Sequence, residues 1–230
     1  TAAGTAVAPG VGTAIGMAAG YAAGVSIEVK EHVRSTAKGI VEKAKEKGIT
    51  ISCDLNFRKN LWSSEKAQNV MSKLVQYVDV CIANEEDADK VLGIKAPNSD
   101  VESGKLNKSG YEYVAKEICE RFGCKKVAIT LRESINASRN GWSGMIYDAT
   151  GVANYSAHYD IDIVDRVGGG DSFTGAMIYS LITGKADKDA IEFAVAASCL
   201  KHSIEGDFNR VTVSDVENLI NNGGNGRVQR

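Results

Sequence analysis

The sequence has no cluster of lysines and arginines, and its formal net charge is only −2. A protein that tracks nucleic-acid phosphates needs such a basic stripe, so that class of partner is excluded. Metal-ligand spacing is missing as well. The cysteines, Cys53, Cys81, Cys119, Cys124 and Cys199, are odd in number and contain no C-x-x-C pair, which removes a zinc site. Cys53, Cys81 and Cys199 lie in apolar segments, the setting of buried free thiols in a reducing cytoplasm. No basic region leads into an apolar run, as a secretory signal requires. Two common nucleotide-binding loops are absent too. Gly184-Lys185 precedes Ala186 rather than Ser or Thr, and Gly168, Gly170 and Gly175 do not have the G-x-G-x-x-G spacing.

What is present begins with a segment of unusual composition. Residues 1–27 carry no charge and are mostly Ala, Gly and Thr, with Gly12, Gly16, Gly20 and Gly24 four residues apart. Small residues at that interval line paired transmembrane helices. Here Pro9 interrupts the run, and Val7, Val11, Ile15, Met17 and Tyr21 are the few large apolar residues of its first 24 positions, so membrane insertion is disfavoured. Residues 1–24 are expected to be irregular and of uncertain identity. From residue 25 to 230 the composition becomes that of an ordinary globular α/β protein.

Apolar residues at helical spacing predict helices at Glu28–Lys47, Glu65–Tyr77, Glu85–Leu92, Tyr111–Phe122, Asp171–Thr183, Asp187–His202 and Val213–Ile220. Short apolar runs at Ile49–Leu55, Val78–Ala83 and Lys126–Leu131 predict buried strands, with a polar loop at 95–108. Asn140-Gly141 predicts a hairpin turn. Helices alternating with short apolar strands imply βαβ units on a mainly parallel sheet, whose ligands bind beyond the carboxyl ends of the strands.

The chemistry is expected at Asp165-Arg166-Val167-Gly168-Gly169-Gly170-Asp171-Ser172-Phe173. A strand ends there, glycines allow close backbone approach, and a helix begins near Asp171. The first N–H groups of that helix have no partner within it, and they coincide with the positive end of its dipole. Such a place holds an anion and stabilises charge on a transferring phosphoryl group. A carboxylate there is either an N-cap or a base that takes a proton from an incoming hydroxyl.

This stretch resembles the D-x-x-G-A-G-D-x-F signature of the ribokinase-like (PfkB) sugar-kinase family, with Gly169 at the central Ala. The resemblance runs from about residue 28 to the end. It implies a ribokinase-like three-layer α/β/α fold, ATP as phosphoryl donor, Asp171 as catalytic base, and Gly168, Gly169 and Gly170 as the anion hole. Asn84-Glu85-Glu86-Asp87 resembles the N-x-x-E element, which implies that Asn84 and Asp87 organise Mg2+ through water. Asp54-Leu55-Asn56-Phe57-Arg58-Lys59-Asn60-Leu61-Trp62 resembles the D-x-N-x-R-x-x-L-W segment of 2-keto-3-deoxygluconate kinases, which implies that Asn56 and Arg58 bind the sugar acid. Ile129-Thr130-Leu131-Arg132-Glu133-Ser134 resembles the T-L-G-x-x-G nucleotide loop, which implies nucleotide contacts from Thr130, Arg132 and Ser134. Val195 stands at an adenine-site position, with Lys201 and His202 beside that pocket. Asp165 stands where some relatives hold a monovalent cation.

The implied reaction is phosphorylation of 2-keto-3-deoxygluconate to its 6-phosphate by a cytoplasmic enzyme, with homo-oligomerisation left open. The family's glycine-rich sugar motif and β-sheet lid are not readable, and about a hundred residues are expected to be missing from the start. Two alternatives remain. One is a kinase of the same family for another sugar or a nucleoside; the other is a nucleotide-binding module without catalysis.

Overall fold

The computed structural model describes residues 27–97, 108–136 and 138–222. The Ala/Gly-rich segment 1–24, most of the polar loop 95–108 and the stretch 226–230 lie outside them. The described residues form two compact units. One contains residues 27–97, 109–128 and 147–152; the other contains 108, 129–136, 138–146 and 153–222. No helix among the described residues is long and apolar enough to cross a membrane.

The first unit holds α1 (Ile27–Glu46), β1 (Ser52–Asp54), α2 (Ser64–Leu74), a 3-10 turn (Val75–Tyr77), β2 (Val80–Ala83), α3 (Glu85–Leu92) and nearly all of α4 (Lys108–Phe122). β2 is buried along its whole length, as a strand covered on both faces must be. It pairs parallel with β1, with Ser52 opposite Val80, Cys53 opposite Cys81 and Asp54 opposite Ile82. This register brings the carboxyl ends of the two strands side by side. The chain leaving β1 at Leu55 and the chain leaving β2 at Asn84 therefore emerge at one edge, where ligand-binding residues of parallel sheets gather.

β3 (Lys126–Ser134) and β4 (Arg139–Asp148) contribute to both units. The second unit adds β5 (Ala153–Tyr155), β6 (Tyr159–Asp162), α5 (Gly169–Ile182), α6 (Asp187–His202) and α7 (Val213–Asn221). The strand order is β1-β2-β3-β4-β5, with β6 also paired to β4. The predicted hairpin turn at Asn140-Gly141 is not where the chain reverses. The reversal lies between the end of β3 at Ser134 and the start of β4 at Arg139, where the Ile135 and Asn136 N–H groups donate to the Arg139 carbonyl. Asn140 is fully buried inside β4 opposite Ile161, and Gly141 lies opposite Asp160. An Asn-Gly pair suits a tight turn, but the antiparallel pairing with β6 claims both residues.

α5 buries Phe173, Met177 and Ser180, one turn apart. α6 is buried almost all round: Ala190, Ile191, Phe193, Ala194, Val195, Ala196, Ala197 and Ser198 are all interior. Its small side chains permit close packing, and its last turn is thereby fixed against the rest of the unit.

All five cysteines are free thiols, and four of them are buried. Burial pushes the thiols of Cys53, Cys119 and Cys199 up to about 12. Cys81 is also raised, by its hydrogen bond with Cys124 and by burial.

Candidate active site

In the second unit the chain turns at Gly168, which adopts a left-handed conformation (φ 80°) and caps α5. The helix begins two residues earlier than the sequence suggests. Asp171 is its third residue, not its cap. The Asp171 carboxylate is exposed and has no hydrogen-bond partner among the described residues. Of the four N–H groups at the turn, that of Gly169 is occupied by the Arg166 carbonyl at 3.3 Å. Those of Gly168, Gly170 and Asp171 have no acceptor among the described residues. Unpaired donors at the start of a helix attract an anion. The Asp171 carboxylate shares the turn with them.

Several groups hold this turn. Asp165 accepts from the Val167 N–H and the Gly206 N–H, each at 2.9 Å. These two backbone bonds, larger than the opposing effect of burial, keep its pKa below the usual carboxylate range. Both oxygens of the residue expected at a cation site are thus engaged with backbone. A Cβ at Gly168 would lie 2.1 Å from the Asp207 carbonyl oxygen, so residues 206–207 press directly on the turn. Ser198 donates to the Gly169 carbonyl at 2.8 Å, and Asn209 donates to the Ser172 hydroxyl at 2.6 Å. Ser198, Asp207 and Asn209 lie 27 to 38 positions beyond Asp171, and the fold brings them to the glycines.

The residues expected around the nucleotide are placed unevenly. Thr130, Arg132 and Ser134 do not form a loop, because β3 continues through Ser134. At alternate positions they share one face of that strand. Val195 is fully buried, and its Cγ2 would lie 2.8 Å from a Cβ at Gly144. It therefore supports β4 and presents no surface to adenine. Lys201 is also buried, with Nζ donating to the Ile204 carbonyl at 2.9 Å. His202 is 4% exposed, bonds through Nδ1 to the Ser198 carbonyl at 2.7 Å, and lies against Trp142 with ring centroids 4.8 Å apart.

Burial lowers the pKa of His202, helped by Lys201, Arg166 and Arg132 and opposed by the Ser198 carbonyl. A stability trend follows. Above about pH 6.5 the imidazole is neutral in both folded and unfolded chains. As the pH falls below that value, the unfolded chain takes up a proton that the folded chain refuses, so stability falls until the folded pKa is passed. The urea midpoint is expected to drop between pH 7.5 and 5.5 in the wild type, and to drop less in His202→Gln. Equal drops would remove His202 as the cause.

In the first unit, Asn84 and Asp87 form a reciprocal capping box on α3. Asn84 Oδ1 accepts the Asp87 N–H at 2.8 Å, and Asp87 Oδ2 accepts the Asn84 N–H at 3.2 Å. Asp87 Oδ1 accepts the Phe57 N–H at 2.8 Å. The carboxylate thus ties the start of α3 to the segment after β1, a link across thirty residues that no local pattern reveals. Burial raises the Asp87 pKa, against the pull of the Phe57 and Asn84 N–H groups and of Arg58. Asp87 is buried, and both of its carboxylate oxygens, like those of Asp165, are engaged with backbone N–H groups. Among the described residues no group of three or more His, Cys, Asp or Glu could hold a metal directly.

Asn56 adopts a left-handed conformation (φ 41°), with its N–H on Asp54 Oδ1 at 3.1 Å. Asparagine is, after glycine, among the residues that adopt this conformation most readily. Arg58 is exposed, its guanidinium donating to the Phe57 carbonyl at 3.1 Å.

Residues 21–209 match the pfkB family of carbohydrate kinases. The chain belongs to that family. A 2-dehydro-3-deoxygluconokinase from Thermotoga maritima superposes with a TM-score of 0.77 at 46% identity, covering 83% of this chain and 56% of that one. A 2-dehydro-3-deoxygalactonokinase from Haloferax volcanii is 30% identical over 195 residues, 84% of this chain and 54% of the relative. A ribokinase II structure from E. coli, in complex with ATP and Mg2+, has a TM-score of 0.62 at 22% identity, over 83% of this chain and 55% of that one. At that identity the likeness bears on fold alone. The expected ribokinase-like α/β fold is therefore present, and this pfkB-family chain spans about half the length of the relatives it matches.

Proposed function

We propose that the protein to which this pfkB-family chain belongs transfers the γ-phosphoryl group of ATP to a primary hydroxyl of a six-carbon 2-keto-3-deoxy sugar acid, 2-keto-3-deoxygluconate in the first instance. The observation that carries this reading is an unpaired, exposed carboxylate at Asp171 in the same helical turn as unpaired N–H groups at Gly168, Gly170 and Asp171. The N–H groups bind the phosphoryl oxygens and meet the charge that grows on them during transfer. Asp171 accepts the proton of the attacking hydroxyl. Positioning and electrostatics supply most of the rate, as in other phosphoryl transfers.

Asn84 and Asp87 would hold Mg2+ through water, and the metal, when bound, neutralises charge on the nucleotide phosphates. Arg132, exposed on β3, offers a positive charge to a phosphate. The sugar acid meets Asn56 and Arg58, whose planar guanidinium suits a carboxylate. Support for an acid substrate comes from Arg58 itself and from the two relatives named as deoxy-sugar-acid kinases. The free cysteines accord with a cytoplasmic enzyme.

A coupled ATPase assay of the full-length protein tests the reading. Turnover is expected with 2-keto-3-deoxygluconate and not with neutral hexoses or nucleosides. Arg58→Gln is expected to raise KM for the acid by about 10- to 100-fold with little change in kcat, the loss of a charge-assisted pair. Equal activity on a neutral sugar, or an unchanged KM in Arg58→Gln, would assign the substrate to another class.

A further inference from the structure

Position 169 opens α5, and its carbonyl and Cα face the last turn of α6. A Cβ built there would lie 2.6 Å from His202 Cε1 and 2.8 Å from Nε2, closer than side-chain carbons approach ring atoms. The ring has no easy retreat. It is nearly fully buried, bonded through Nδ1 to the Ser198 carbonyl at 2.7 Å and backed by Trp142. Ser198 holds the other side of the contact, its hydroxyl donating to the Gly169 carbonyl at 2.8 Å. The His202 carbonyl in turn accepts the N–H groups of Val164 and Asp165, which lead into the turn. One turn of α6 thus grips the segment before the glycines and the first residue after the turn.

We infer that His202 is a positioning residue for the phosphate-binding turn: its imidazole fixes where Gly169 lies, and position 169 is glycine because the ring fills the place of a side chain. The inference rests on the phosphoryl-transfer reading and goes beyond it. His202 does not touch the reacting groups. It acts through the Gly169 backbone on the N–H groups of Gly170 and Asp171 and on the direction in which the Asp171 carboxylate leaves the helix. The contact couples the two residues, so the effect of changing one depends on the other.

The test is a double-mutant cycle in the full-length protein with Gly169→Ala, His202→Ala and both changes together. kcat, KM for ATP, ATP Kd and Tm are measured for each. Gly169→Ala is expected to lower kcat by about 30-fold or more, because a methyl group displaces the ring and shifts the turn. His202→Ala is expected to lower kcat by roughly 5- to 10-fold with a smaller change in KM. The double variant is expected within about threefold of His202→Ala alone, since the new methyl enters the vacated space. Losses that multiply in the double variant would overturn the inference, as would a kcat loss fully explained by a lower folded fraction.

If Gly169→Ala does not fold, the cycle of Ser198→Ala with His202→Ala replaces it: both changes loosen the same backbone, so a double variant no worse than the weaker single supports the inference and multiplied losses overturn it. A wild type that binds ATP but phosphorylates no sugar refutes the kinase reading and not the inference, which is then judged from the same cycle in ATP Kd. A wild type that binds no ATP refutes both.

Discussion

Asp171→Asn is expected to remove nearly all phosphoryl transfer from the full-length protein while ATP remains bound. The substitution keeps the size of the side chain and removes its basicity. Asp171 accepts no hydrogen bond from the described residues and is exposed, so no packing or capping bond is lost. What stability it contributes is the small benefit of a negative charge in the first turn of a helix, about 0.3–1 kcal/mol. ATP affinity is expected to hold or rise slightly, since a charge that repels phosphate has gone. The rate is expected to fall by about 10²- to 10⁴-fold, the usual contribution of a positioned base. Single-turnover phosphorylation with isothermal titration of ATP on the same samples separates the two effects. Retention of a tenth or more of wild-type turnover would show that the hydroxyl proton goes elsewhere. A parallel loss of ATP affinity would show that the carboxylate shapes the turn.

The second large effect is expected at Gly168, where two independent objections meet any side chain. The φ of 80° is one that side chains rarely adopt, and an added Cβ would stand 2.1 Å from the Asp207 carbonyl oxygen and 3.2 Å from Lys201 Cε. A flexible neighbour could move aside; a backbone carbonyl cannot do so alone. Residues 206–207 are tied in through the Gly206 N–H to Asp165, so relief at one point disturbs the turn at another. The conformational cost alone is about 1–3 kcal/mol. With the contact added, Gly168→Ala is expected to lose about 3 kcal/mol or more, roughly 6–12 °C in Tm for a domain of this size. Activity is expected to fall beyond what the folded fraction explains, because the N–H groups that follow are re-aimed. Thermal melts and kcat at a temperature where the variant is fully folded measure the two parts. A variant with wild-type Tm and kcat would mean that the turn does not depend on this conformation.

The glycine turn and its helix were legible in the sequence because their requirements are local. Three glycines, an acidic residue and an apolar periodicity lie within a few residues of each other. The same holds for α3 and α6, whose ends at Glu85–Leu92 and Asp187–His202 fall where the apolar pattern starts and stops. What was not legible depends on partners distant in the chain. Asn140-Gly141 has the composition of a turn, yet pairing with Asp160 and Ile161 makes it the interior of β4. Val195 stands at a position that suggests a nucleotide contact, but close packing against Gly144 turns it inward. Thr130 to Ser134 resembles a loop motif, and without its glycines the chain stays extended. The cap of α5 falls on Gly168 rather than beside Asp171, a shift set by the left-handed turn and not by side-chain type. Asp87 reads as one end of a short acidic motif; its bond to the Phe57 N–H needs the parallel register of β1 and β2.

The sulfur chemistry of the interior has a practical side. Burial pushes the thiols of Cys53, Cys119 and Cys199 far above neutral pH, so almost none of these sulfurs is ionised at pH 7, and alkylating reagents attack the ionised form. A cysteine introduced on the surface would react far sooner than any of these three. A probe could then be attached near the glycine turn without first stripping the native sulfurs from the chain.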